Sequence, residues 1–238
     1  MSFENIDIEN YAKFGPQYYS TEIFPLLRKY LKSEKYSSLL DCGCGDGKMM
    51  YTLKTQGFLA DKEVYAFDLS KSRIEIVKKI DPSIRVFVDD AEKMSNVKDN
   101  SIDFFISEQV IEHVVNPAVM LDCINRVVKK GGTAYLSTVF KKWYGWYVYR
   151  NNGRWVLDPT HLREYTKDSE LFDIIDKDKF EILESKKNLL FFPIVDSLIK
   201  RLHLKNRTLY NNKILRLLRK IKRPVLGYYN WEIVLRKK

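Results

Sequence analysis

Apolar residues along this chain fall into short unbroken runs separated by stretches with three-to-four-residue spacing, and the two patterns alternate. The short runs at 37–41, 64–68, 84–88, 102–107 and 133–139 read as strands, and the run at 102–107 suits a strand buried on both faces. Between them, 48–56 reads as a helix closed by Gly57, 71–80 as a helix ended by Asp81-Pro82, and 118–129 as a helix stopped by Gly131-Gly132. Repeated strand–helix units with short links predict an α/β fold with a doubly wound parallel sheet. Residues 3–35 read as helical, with Ile23, Phe24, Leu26, Leu27, Tyr30 and Leu31 as the apolar set, and 168–176 as a further helix. The segments 180–192 and 228–236 read as strands. No internal repeat and no linker marks a second domain, so the chain is expected to be one unit. It divides into a helical cap at 1–35, a core at 36–190, an insertion at 194–223 and a last strand at 228–237.

At 238 residues, with 45% apolar and 13% aromatic content, the chain is long and apolar enough to bury its own core. No stretch has the ~18 uninterrupted apolar residues of a membrane span, and the acidic start Met-Ser-Phe-Glu-Asn is unlike a signal peptide. Cys42, Cys44 and Cys123 are too sparse for a disulfide framework and lack the second Cys/His pair of a zinc site. A reducing cytoplasm is the expected compartment, with no structural metal. The net charge of +10 is lopsided: residues 194–223 hold ten Lys/Arg against Asp196 alone, so the rest of the chain is nearly neutral.

Chemistry concentrates at residues 39–47, Leu-Leu-Asp-Cys-Gly-Cys-Gly-Asp-Gly, where an apolar strand runs into glycines at 43, 45 and 47. Such a turn tolerates left-handed backbone and lets a ligand approach bare N–H groups, at the carboxyl ends of strands where nucleotide-like ligands sit. The spacing is not that of a dinucleotide site, which puts its third glycine where Lys48 stands, and no G-K-[ST] follows to make a phosphate loop.

The acid-x-G-x-G-x-G form resembles motif I of the class I S-adenosylmethionine-dependent methyltransferases, and further segments of residues 36–190 resemble that family in order. The second predicted strand ends Val-Tyr-Ala-Phe-Asp68, the third in Asp89-Asp90-Ala91-Glu92. Residues 100–114 resemble the family's SFDLVVSxxVLEHV segment, 126–132 its RvLkpGG segment, and 158–166 a THLRxYT segment. The resemblance implies a Rossmann-like sheet of seven strands, mostly parallel with the last antiparallel, and S-adenosylmethionine as cofactor. It places the cofactor against Asp41, Gly43, Cys44, Gly45, Gly47 and Leu69, with Asp68 at the ribose, Asp90 and Ala91 at the adenine, and Ser107, Glu108 and Gln109 facing it from the fourth strand. Asp68 has a plainer alternative as a helix cap, and Asp90, with Asp89, as part of a solvated turn of acids. Asp41 either bonds the turn or reaches the methionine end of the cofactor.

A methyl donor spares the protein a nucleophile, so what remains to be supplied is alignment and often a base. The candidates are His161 and His113, the first equally readable as stitching its loop to the body, the second as packing against the sheet. Arg163 either holds an anionic group or braces the same loop. Tyr18 and Tyr19 either cover the cofactor or are ordinary aromatics.

The [DNS]-P-P-[YFW] motif of base N-methyltransferases is absent, with Ser107-Glu-Gln-Val in its place, and no Pro-Cys pair is present for attack on cytosine. Nucleic acid is therefore disfavoured as substrate despite the charge. Residues 194–202 and 214–221 pattern as two basic amphipathic helices, which either lie on an anionic membrane surface or pack inward with a solvated charged face. The expected activity is methyl transfer to a small-molecule acceptor at oxygen, a sugar, lipid-linked or quinone-like compound. RNA methylation and cofactor binding without turnover are the alternatives.

Overall fold

A computed structural model describes Glu9 and residues 22–147, 149–151, 153–195 and 212–238. Tyr18, Tyr19, most of the predicted N-terminal cap and the first of the two basic helices lie outside these residues. Among the described residues no helix is long and apolar enough to cross a membrane.

The alternation read from the sequence is present. In chain order the elements are α1 (Pro25–Ser33), β1 (Ser38–Cys42), α2 (Lys48–Thr55), β2 (Glu63–Asp68), α3 (Lys71–Ile80), β3 (Arg85–Val88), β4 (Ile102–Glu108), α4 (Pro117–Val127) and β5 (Val128–Lys141). A short hairpin, β6 (Tyr149–Asn151) and β7 (Arg154–Val156), follows, then α5 (Ser169–Phe172), β8 (Phe180–Pro193), α6 (Lys213–Leu218) and β9 (Lys222–Lys237). Seven strands form one sheet in the order β3-β2-β1-β4-β5-β9-β8. The first five are mutually parallel, and β9 runs antiparallel between β5 and β8.

Several features differ from expectation. The helix predicted at 118–129 ends at Val127, and β5 starts at Val128 and runs through Gly131-Gly132, expected as the helix stop. The predicted helix 168–176 is one turn, Ser169–Phe172, with 3–10-like turns carrying the chain onward. The last strand begins at Lys222 rather than 228, so Lys222 and Arg223 belong to the sheet and not to a helical insertion. The cause is Pro224, whose ring disfavours helical backbone in the residue before it. The β6–β7 hairpin was not anticipated.

The sheet is buried on both faces, as expected for parallel strands with helices on each side. Alternate residues of β1 point to opposite layers: Leu39 packs with Leu27 of α1, Met50 and Leu53 of α2 and Val77 of α3, while Leu40 packs with Met120 and Ile124 of α4 and Trp231 of β9. Each fully buried Leu or Met contributes about 1.5–3 kcal/mol by leaving water.

The N-terminus of α1 has an unusual cap. Phe24 offers no side-chain acceptor there; instead Glu232 of β9, fully buried, accepts from the N–H groups of Leu26 (3.0 Å) and Leu27 (3.3 Å) and from the Tyr135 hydroxyl (3.2 Å). Helix N–H donors without an intrahelical partner are thus satisfied by a carboxylate, which the helix dipole also favours.

Register decides where the chemistry falls. Cys42 sits beside Phe67 and Ser107, Ser107 beside Leu136, and Leu136 beside Ile233. The next residues upward, Gly43, Asp68 and Glu108, therefore emerge together at one edge of the sheet.

Candidate active site

At that edge is a cavity of about 720 Å³, within the range of ligand pockets. Gly43, Asp68, Leu69, Asp90, Ala91 and Glu108 line one part of it, and His113 and His161 another. Asp41, Cys44, Gly45, Gly47 and Ser107 do not line it.

The glycine loop is left-handed at all three positions, with φ of 71°, 52° and 75° at Gly43, Gly45 and Gly47. A Cβ on Gly43 would stand 2.4 Å from Val110 Cγ2, and one on Gly47 2.5 Å from Ile80 Cδ1, so both positions demand glycine for space as well as conformation. Gly45 has room for a Cβ, and its N–H donates to Asp68 Oδ2 at 3.0 Å. Asp68 Oδ1 accepts from Ser70 N–H at 2.9 Å. The cap of α3 is Ser70, whose hydroxyl accepts from Arg73 N–H, so Asp68 is not the helix cap. Arg73 reaches across to Asp68 (3.6 Å) and to Asp46 of the loop (3.8 Å), bracing the two together.

Asp41 is buried with Oδ2 lacking a hydrogen-bond partner among the described residues. Burial holds its carboxyl well above the usual carboxylate range, with Glu108 and Asp68 adding to the effect. Burial likewise pushes Glu108 up to about 7. Asp90 Oδ1 accepts from Glu92 N–H at 2.9 Å. Asp89, expected as a solvated turn acid, is instead buried: Oδ1 accepts from Asp90 N–H and Oδ2 from the backbone and side chain of Asn96.

The two histidines meet edge to face with ring centroids 4.8 Å apart. His161 Nδ1 lies 3.0 Å from Glu164 Oε1 and donates to it, which leaves Nε2 as the basic nitrogen of the neutral ring. Burial disfavours its charge, but Glu164, Glu112 and Asp158 outweigh that and raise its pKa. His113 Nδ1 lies 3.3 Å from the Thr160 carbonyl and 3.2 Å from its hydroxyl. Burial and then His161 lower the His113 pKa to about 4. Glu112, fully buried, accepts from the Thr138 hydroxyl at 2.9 Å and is pushed up to about 7 by burial. One ligand atom from each of Glu112, His113 and His161 falls within 4.8 Å of the others, a spacing that also suits a cation.

Arg163 does not face an anion. Its guanidinium donates to the carbonyls of Ile111 (3.1 Å), Val114 (2.5 Å) and Val115 (2.9 Å), stitching the loop to the β4–α4 connection. The sequence reading missed Arg73, Glu164 and Asn230, while Gln109, expected to face the cofactor, does line the cavity. Glu164 had a signal in its i, i+3 spacing from His161. Gln109 adopts a left-handed φ of 56° and donates from Nε2 to Asn230 Oδ1 at 2.8 Å, both lining the cavity. Asn230 signals itself only as a polar residue inside a buried strand.

Residues 40–136 match the methyltransferase domain family. Over 157 residues the chain is 34% identical to the ubiquinone biosynthesis O-methyltransferase of Rickettsia typhi, a match covering 62% of this chain and 61% of that one. The chain thus spans about three-fifths of the length of that relative. A candidate methyltransferase from Bacillus halodurans C-125 superposes with a TM-score of 0.63 at 19% identity, covering 90% of this chain and 97% of that one. Phosphoethanolamine N-methyltransferase 2 of Haemonchus contortus, solved in complex with S-adenosyl-L-methionine, superposes at 0.57 with 16% identity, covering 89% and 51%. With the domain match laid over the seven-stranded sheet and its glycine loop, the chain is similar to the class I methyltransferases in both sequence and fold.

Proposed function

We propose that the protein transfers a methyl group from S-adenosylmethionine to a hydroxyl of a small, quinone-like acceptor. The observation that carries this is a single cavity lined at one part by Gly43, Asp68 and Asp90 and at another by the His113–His161 pair. The names of the curated relatives support the acceptor class.

The residues present fit the cofactor. Gly43 brings bare left-handed backbone to the cavity wall, and Asp41 has a buried oxygen without a hydrogen-bond partner among the described residues. When bound, S-adenosylmethionine supplies an electrophilic methyl on its sulfonium. Asp68 would accept from the ribose hydroxyls with Leu69 beside it, Ala91 would meet the adenine through its backbone N–H, Asp90 would take its amino group, and Asp41 would serve the methionine end. Acidic walls at Asp68, Asp90 and Glu108 favour a cationic guest.

A hydroxyl acceptor must lose its proton, and His161 is built to take it. Glu164 fixes the ring through Nδ1, turns Nε2 into the acceptor nitrogen and stabilises the imidazolium that results. His113 stays neutral at the same pH and adds no competing charge. The cofactor carrying a tritiated methyl, offered with a reduced quinone bearing a free phenolic hydroxyl, with nucleotide sugars and with RNA, tests the reading. Label should enter the quinol with the native chain and not with His161→Asn. Label entering RNA instead would contradict it.

A further inference from the structure

The strand that walls the cavity also carries an apolar outer face. Leu190 and Phe192 of β8 line the cavity, while the neighbouring Leu189 and Phe191 are exposed, Phe191 at 50%. Phe191 pairs with Pro224 and Pro193 with Lys222 at the end of the β8–β9 ladder. Beyond that ladder, α6 presents Ile214 (69% exposed) and Leu217 (63%), and Ile221 follows, also exposed. The loop after β5 is tied to the same place: Lys142 N–H donates to Gly227 O at 2.8 Å and Trp146 N–H to Leu226 O at 3.3 Å. That loop holds Trp143 out at 93% exposure, with Leu226 beside it at 64%.

So much exposed aliphatic and indole surface is more than scattered single residues on a soluble protein explain. The charge around it is mostly positive, with Glu22 ion-paired to Lys222 at 2.6 Å as an acidic exception. Residues 212–226 contain six Lys/Arg and no acid, Lys213 and Lys220 are exposed, and Lys142 stands exposed in the tryptophan loop. A polyanion alone would satisfy the lysines and leave Ile214, Leu217 and Leu226 in water. An apolar protein surface would cover the aliphatics and leave the lysines without partners. An anionic bilayer offers both, phosphates at the height of the lysines and hydrocarbon just beneath, and tryptophan favours that boundary.

We propose that this strip, from Trp143 through Leu226 to Leu217 and Ile214, docks the protein on an anionic phospholipid surface. Resting on the function proposed above, the same contact brings the cavity wall of Leu190 and Phe192 against the lipid, so that an acceptor with an apolar tail passes from bilayer to cavity along one strand.

Sedimentation of the full chain with vesicles tests this without cofactor or acceptor. Equimolar phosphatidylcholine and phosphatidylglycerol should bind the protein at low salt at least about tenfold more tightly than phosphatidylcholine alone, with the difference shrinking at high salt. Lys213→Glu with Lys220→Glu should lose about tenfold or more of that binding. Trp143→Ser with Leu217→Ser should lose binding while the urea midpoint stays native, since both side chains are solvent-exposed. Equal binding to both vesicles, no binding, binding untouched by either pair, or preferential capture by single-stranded RNA in competition would overturn the proposal. Titration with S-adenosylhomocysteine on the same samples reads the enzyme assignment separately, so failure of one is distinguishable from failure of the other.

Discussion

His161 Nδ1 and Glu164 Oε1 lie 3.0 Å apart, three residues from each other in the chain and both almost wholly buried. Glu164 is itself held from several directions, accepting from Leu157 N–H and from the Tyr228 hydroxyl at 3.2 Å, with Lys141 3.6 Å away. A carboxylate so fixed sets one tautomer and one orientation of the imidazole, which is what a proton acceptor at a defined place requires.

His161→Asn is expected to lower kcat about 10²- to 10³-fold and to leave S-adenosylhomocysteine affinity unchanged. Glu164→Gln keeps a hydrogen-bond acceptor for Nδ1 but removes the charge that raises the histidine pKa. Steady-state rates across pH should show its acid limb moved to lower pH, with about tenfold loss in kcat. An unmoved limb would separate Glu164 from the base.

Titration of the two histidines should act on stability in opposite senses. The raised His161 pKa contributes stability that is fully present below its unfolded value of 6.5 and lost as pH rises through the higher folded value. The His113 pKa, lowered to about 4, means the unfolded chain takes up the proton first as pH falls below 6.5. Urea unfolding at stepped pH should therefore show His113→Gln becoming steadily more stable relative to the native chain between pH 6.5 and about 4. A constant difference across that window would refute the burial of a neutral His113.

Glu232→Ala removes the cap on α1 and leaves two buried helix N–H groups without their acceptor. A loss of about 3 kcal/mol is expected from denaturant midpoints, since breaking a buried, charge-assisted network typically costs that much. A change under about 1 kcal/mol would mean that water replaces the carboxylate there.

Gly43→Ala meets both a left-handed φ and Val110 Cγ2 at 2.4 Å, and should cost about 2 kcal/mol or more. Adding Val110→Ala opens the space without relieving the backbone, so the pair should recover part of the loss measured against Val110→Ala alone. Gly45→Ala, with open space around it, should cost only about 1–2 kcal/mol for its conformation.

The parallel half of the fold was legible because its signals are local. Buried strands are short apolar runs, their helices end at glycine or before proline, and Asp68 and Asp90 stand at strand ends where register must bring them beside the loop. What was not legible depends on partners far away in sequence. Arg163 resembles an anion binder in isolation, and only the carbonyls of residues 111–115, some fifty positions earlier, show what it does. Asp89 looks solvated until Asn96 folds back on it. The helical spacing of Ile214, Leu217, Leu218 and Ile221 carried the expected helix too far, although Pro224 marked its limit. The β6–β7 hairpin had a local signal, the Asn152-Gly153 dipeptide, which the reading passed over.

The central claim is that the edge formed by Gly43, Asp68 and Asp90 is a methyl-donor site, and calorimetric titration of the full chain with S-adenosylhomocysteine tests it most directly. The account predicts saturable one-to-one binding that Asp68→Ala weakens by about a hundredfold, in keeping with the loss of two charge-assisted hydrogen bonds, while His161→Asn leaves it intact. Absence of binding by the native chain, or equal affinity in Asp68→Ala, would contradict it.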